Sequence, residues 1–247
     1  MEALVDHVTA APGLSLAVML IAFAASVVQF GLGMGFGLMA APTLALLDPA
    51  LVPASTLFIG LSTSTYGAWK ERDGIVWAEV WTGAIGRIVG VVASVAVLSV
   101  IATRETFSLV FGLLIGMAVL LSVAGRRIAF NRKSLLGMSA LSGLMATITS
   151  VGAPPMALIY QDRSPAEARP TLAAFFAVGC VISLGALFAS GWATIRDFHL
   201  ALLMVPGVIC GAIVARFVGS GFDRRYRPLL LGVAGAAALM LIWRGLG

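Results

Sequence analysis

Arg87 carries the clearest chemistry in the sequence. It stands midway along residues 75–103, a stretch otherwise apolar apart from Glu79. A guanidinium at that depth in a bilayer costs at least ~2.5–3.5 kcal/mol unless it is paired or faces water. Glu79 lies eight residues earlier, about 12 Å along a helix, which is beyond direct pairing. No other apolar stretch holds an aspartate or glutamate at comparable depth. An anionic ligand would supply the missing counter-charge. The alternative is a structural arginine bonded to backbone carbonyls freed where a helix breaks.

Two motifs predict such breaks. Residues 31–42 read GLGMGFGLMAAP, and residues 151–155 read VGAPP. Alternating glycines and a proline interrupt a helix. A break frees backbone N–H and C=O groups, and helix N-termini there attract anions. Gly33, Gly35, Gly37 and Gly152 would let a ligand approach the backbone. Thr43, Thr147, Thr149 and Ser150 bring hydroxyls, Gln29 precedes the first motif, and Pro154 belongs to the second. The candidate substrate-binding set is therefore Arg87, Gln29, Gly33, Gly35, Thr43, Thr149, Ser150, Gly152 and Pro154. The competing reading is that the glycines permit tight helix packing and the hydroxyls bond back to their own helices. Enzyme chemistry has no equivalent set: Gly219-Ser220-Gly221 lies in a charged loop and no histidine is mid-span. Neither a CxxC nor a Cys/His cluster suggests a metal, so no cofactor or metal is expected. Cys180 and Cys210 sit inside apolar stretches and read as buried thiols acting as small hydrophobes.

The elements that hold these residues follow from composition. Of 247 residues, 60% are hydrophobic and 11% are charged, against ~25% charged in soluble proteins. Mean hydropathy is +1.03. Such a chain cannot cover a water-facing globule, which excludes a soluble enzyme, a disordered chain and a disulfide scaffold. Its solvent is a bilayer. The net charge of +5 does not indicate nucleic acid, because the basic residues cluster at the ends of apolar stretches as membrane anchors do. The acidic start, MEALVDH, lacks the basic region of a signal peptide.

Eight apolar blocks can be counted, at residues 8–47, 49–69, 75–103, 106–125, 134–161, 170–195, 198–215 and 228–243. One crossing takes about 20 residues. The first and fifth blocks are longer and contain the breaks, so each reads as a helix followed by a short returning arm. The expected fold is an all-α polytopic membrane protein of up to ten membrane segments. Segments around the breaks recur: Pro42-Thr-Leu-Ala-Leu resembles Pro155-Met-Ala-Leu-Ile, and Ser55-Thr-Leu resembles Pro170-Thr-Leu. Gly86-Arg-Ile-Val-Gly likewise resembles Gly207-Val-Ile-Cys-Gly. An internal duplication is expected, with residues 1–125 as the first repeat, 126–133 as a basic cytoplasmic linker and 134–247 as the second.

Loop charge chooses the orientation. If each break turns the chain back, the repeats are inverted. Lys70, Arg72, Arg126, Arg127, Arg132, Lys133, Arg163, Arg169, Arg216, Arg224, Arg225 and Arg227 then share one side, against Arg104, Arg196 and Arg244. That twelve-to-three split obeys the positive-inside rule; four crossings per repeat would give eight to seven. Both termini are expected outside.

At the two motifs the chain resembles the TauE/SafE family of sulfite exporters. The carrying features are GLGMGFGLMAAP with Ser55-Thr-Leu, and VGAPPMALIYQDRSPAEARPTLAAFF in the second half. The latter looks like the family's GGPP segment with Ala153 replacing the second glycine. The Gly207–Gly211 spacing fits too. The resemblance implies a multi-pass transporter in the bacterial inner membrane that moves sulfite, a sulfonate or a related sulfur-containing anion, with export the expected direction. Its expected partners are that anion and the lipid bilayer, with a homodimer left open. Arg87 is not carried over from the family, because Val208 aligns with it in the repeat. A carrier or channel for another small anion, or a non-transporting membrane subunit, are the alternatives.

Overall fold

The computed structural model describes residues 11–32, 35–124, 128–217 and 222–247. Among them the chain forms ten α-helices and no strand. In order these are α1 (Pro12–Leu32), α2 (Phe36–Leu47), α3 (Ala54–Lys70), α4 (Trp77–Ser99), α5 (Arg104–Val123), α6 (Arg132–Thr149), α7 (Ala153–Tyr160), α8 (Pro165–Ala189), α9 (Ile195–Ala215) and α10 (Phe222–Leu246). Short 3-10 turns at Pro49–Leu51 and Arg72–Gly74 bracket α3. Six helices (α1, α4, α5, α8, α9 and α10) are long and apolar enough to cross a membrane. The chain is an all-α polytopic membrane protein. Its outer surface presents Leu16, Leu20, Val92, Leu120 and Leu239, all more than half exposed, as lipid-facing side chains should be. Trp69, Trp77, Trp81 and Trp243 are also exposed, near helix ends where indole favours the headgroup zone.

Both sequence breaks are helix breaks. α1 gives way to α2 through Gly35, whose φ of 125° suits glycine. The Gln29 Oε1 accepts the Phe36 N–H at 3.0 Å, satisfying a donor that α2 cannot use internally. α6 opens on a capping box between Asn131 and Ser134 and stops at Ser150, a left-handed residue with φ 61°. Pro154 then occupies the first turn of α7, where its missing N–H is no loss. The returning arms are short: α2 has 12 residues and α7 has 8.

Glycines set the packing. A Cβ at Gly86 would overlap the Leu136 carbonyl, and one at Gly90 the Ala140 carbonyl. Further along, Ser94 Oγ donates to the Leu144 carbonyl at 3.1 Å. These contacts advance in step, so α4 and α6 run parallel. Their counterparts behave alike: Gly207 abuts the Met19 carbonyl and Gly211 the Phe23 carbonyl, so α9 runs parallel to α1. Contacts between α3 and α8 descend instead, from Phe58 against Phe188 to Gly60 against Cys180 and Gly67 against Ala173. Those between α5 and α10 do the same, with Gly112 at Ala238 and Gly245 at Leu109. α3 and α8 hold the same place in the two halves, as do α5 and α10. Corresponding helices are therefore antiparallel, and the halves are inverted.

The Cys180 thiol is buried as expected, whereas Cys210 is exposed on α9. Cys210 flanks the contact with α1 instead of lying in it, because Gly207 and Gly211 are the residues that meet that helix.

Candidate functional site

Arg87 sits mid-helix on α4 and is 1% exposed. Its Nη1 donates to Ser142 Oγ on α6 at 3.0 Å, and its Nη2 donates to Ser183 Oγ on α8 at 3.4 Å. Ser183 pairs with Thr147 Oγ1 at 2.9 Å. The Nε–H has no partner among the described residues. The guanidinium lies 5.7 Å from the Phe175 ring centre. A Cβ on Gly179 would come within 2.8 Å of its Cζ, so the glycine makes the space it occupies. Among the described residues it is the only buried charged side chain, so every bond it makes is to a neutral oxygen.

One of those oxygens reaches the second break. Ser142 Oγ donates to the Gly152 carbonyl at 2.7 Å. The carbonyl alternative for Arg87 thus holds only at one remove, through a hydroxyl. At the break, the Ser150 and Thr56 hydroxyls lie 2.5 Å apart, and each is 2.8 Å from the Pro53 carbonyl. Two protons serve three contacts there. Gly37 of α2 packs on the Ser150 carbonyl, which a Cβ would overlap. The returning arm of the first break therefore touches the second break directly.

The candidate residues divide accordingly. Arg87, Gly152 and Ser150 come together through Ser142 and α6. Gly152 is buried against Ser142 Oγ and Ala146 Cβ, each 2.8 Å from a Cβ built there. Pro154 is buried beside them. Gln29 and Gly35 form the first break, where Gln29 serves as the N-terminal cap of α2. Thr43 is committed to its own helix, donating to the Met39 carbonyl at 2.6 Å. Thr149 does the same to Met145 at 2.7 Å, and also accepts the Val151 N–H at 3.2 Å. For these two threonines the competing reading of the hydroxyls is the observed one. Gly33 lies outside the described residues. Ser142 and Ser183 were not singled out in the sequence, and Thr56 stood there only as part of the repeated Ser55-Thr-Leu. A lone serine in an apolar helix gives no signal, since it can satisfy itself on its own backbone.

A second polar cluster fastens α7. Glu79 accepts hydrogen bonds from Tyr160 Oη at 2.8 Å and from Arg163 Nη2 at 3.0 Å. Arg163 also stacks over Phe130 at 4.4 Å. The far end of α7 is thereby tied to the first turn of α4, the helix that carries Arg87. At the opposite end of the bundle, Arg244 Nη1 donates to the Leu46 carbonyl at 2.8 Å, holding the end of α2.

A family model described as sulfite exporter TauE/SafE matches residues 18–241. No curated protein and no solved structure matches the chain.

Proposed function

The chain belongs to the sulfite exporter TauE/SafE family, and from that premise we propose that it carries a small sulfur-containing oxyanion out of the cytoplasm, with Arg87 meeting the anion's charge. The observation that carries this reading is the state of Arg87. It is buried and held by two hydroxyls, and among the described residues it has no acid partner and its Nε–H is free. Neutral hydroxyls do not neutralise a guanidinium, and a sulfite or sulfonate would. Two oxygens of such an anion suit the planar fork of Arg, Nε–H and one Nη–H together. The Ser142 link places that charge next to the backbone of the second break, the kind of broken-helix site where transporters bind substrate.

The membrane side follows from charge. In the inverted arrangement the basic loops after α3, α5, α7 and α9 share one end of the bundle, and that end is the cytoplasmic one in this proposal. Residues 1–125 and 134–247 form the two repeats, joined by the basic linker 126–133, in a bacterial inner membrane. Expelling an anion from a negative interior gains about 2.3 kcal/mol per charge per 100 mV, so export needs no coupling ion. Purified protein in proteoliposomes loaded with sulfite, sulfonates, sulfoacetate or thiosulfate tests the reading. Saturable efflux of at least one, accelerated by an interior-negative potential, is expected; no flux of any of them overturns it.

A further inference from the structure

At the end of the bundle opposite the basic loops lies a cavity of about 370 Å³. That volume is in the range of small-molecule sites. Its wall comes from three connections that the inversion brings together: residues 49–52 after α2, residues 101–104 before α5, and residues 192–197 before α9. Arg104 and Arg196 both line it. They are two of the three basic residues that the charge count assigns to this side. Among the described residues neither guanidinium lies within 4.0 Å of a carboxylate oxygen, although the neighbouring Glu105 feels the charge of Arg104. One carboxylate, that of Asp197, also lines the cavity and caps α9. Its Oδ2 accepts the Thr194 N–H at 2.7 Å and the Thr194 hydroxyl at 3.0 Å. Trp192 and Phe107 stack at 5.9 Å to form an apolar wall. The cavity also borders the break. Val52 is part of its lining, and the next residue, Pro53, offers the carbonyl that the Ser150 and Thr56 hydroxyls contact.

We infer that this cavity is a second oxyanion site, a vestibule in which Arg104 and Arg196 hold a small anion at the non-cytoplasmic mouth. Two guanidiniums against one lining carboxylate leave this concave wall net positive, which draws anions into it. The neighbouring break would deliver the anion from the buried site to this mouth. That role rests on the transport reading; the binding itself does not. Affinity here should be weak, because both arginines stay exposed to water and to salt.

Trp192 reports on the site. Purified protein is titrated with sodium sulfite at constant ionic strength, with sodium chloride as the control, while tryptophan fluorescence is followed. A saturable change that disappears in Trp192→Phe is expected. The Arg104→Gln/Arg196→Gln double variant should weaken it about tenfold or more, and the double lysine variant less, since lysine keeps the charge without the fork. Arg216→Gln, at the other end, should leave it unchanged. No saturable Trp192-dependent change, an equal response to chloride, or undiminished affinity in the double glutamine variant overturns the inference. The same titration in phosphatidylcholine nanodiscs, with and without phosphatidylglycerol, separates a soluble anion from a lipid headgroup. Sulfite affinity should match in the two, and its abolition by the anionic lipid would assign the cavity to headgroups instead. A protein that binds sulfite here yet carries none in proteoliposomes would overturn the transport reading and leave this inference standing.

Discussion

At the scale of single residues, Arg87 was legible because a charge in an apolar stretch has no cheap explanation. Its partners were not, because Ser142 and Ser183 are common membrane-helix residues whose role depends on which helices meet. The proposal makes graded demands on this one side chain. Arg87→Lys keeps charge but loses the fork, so substrate affinity should fall partly. Arg87→Gln loses the charge and should fall further, by about tenfold or more if the lost bonds to charge are worth ~1.5–3 kcal/mol. Both are read as equilibrium binding on monodisperse protein; wild-type affinity in well-folded Arg87→Gln ends the anion role. Gly179 offers a second handle. An added methyl there would press on the guanidinium at 2.8 Å. Gly179→Ala should therefore displace Arg87 and reduce substrate affinity without touching any hydrogen-bonding group. The check is a substrate titration beside the melting temperature: a lowered melting point with unchanged affinity would make Gly179 a packing residue only.

At the scale of elements, the breaks were readable from glycine and proline alone, and both appear where GLGMGFG and VGAPP predicted. What the sequence could not reveal was that they touch. That contact arises from tertiary packing of α2 on the end of α6, between residues 113 positions apart. Similarly, Gly86 and Gly90 marked a repeat, while their partner helix became visible only in the fold. The two kinds of glycine should respond differently. Gly37→Leu and Gly152→Leu change the meeting point of the returning arms, against the Ser150 carbonyl and Ser142 Oγ. Flux should be abolished while the protein still inserts and elutes as one species. Gly90→Leu instead wedges apart two long helices that anchor the whole bundle, since small residues let membrane helices approach. That variant should fail to give monodisperse protein at all. Normal flux at matched expression in Gly37→Leu or Gly152→Leu would remove the arms from the transport path.

At the scale of the whole molecule, inversion was inferred from charge, and it is visible in the fold as the antiparallel pairing of α3 with α8 and of α5 with α10. Helix contacts do not contain which end faces the cytoplasm; the basic loops assign that side to their own end in the proposed orientation. Four reporter positions follow from the helix order. Ala129 and Ser164 lie in the connections after α5 and α7, at one end; Ala102 and Ser190 lie in those before α5 and after α8, at the other. The background must first lose Cys180 and the exposed Cys210, both replaced by serine. In that background a membrane-impermeant maleimide on intact spheroplasts should label Ala102→Cys and Ser190→Cys, and Gly247→Cys beyond α10 with them. Ala129→Cys and Ser164→Cys should react only after permeabilisation. The opposite pattern would keep the fold and reverse its orientation, placing the basic loops outside against the positive-inside rule. It would also turn the cavity of Arg104 and Arg196 toward the cytoplasm, where the same two guanidiniums would collect the anion before transport rather than after it.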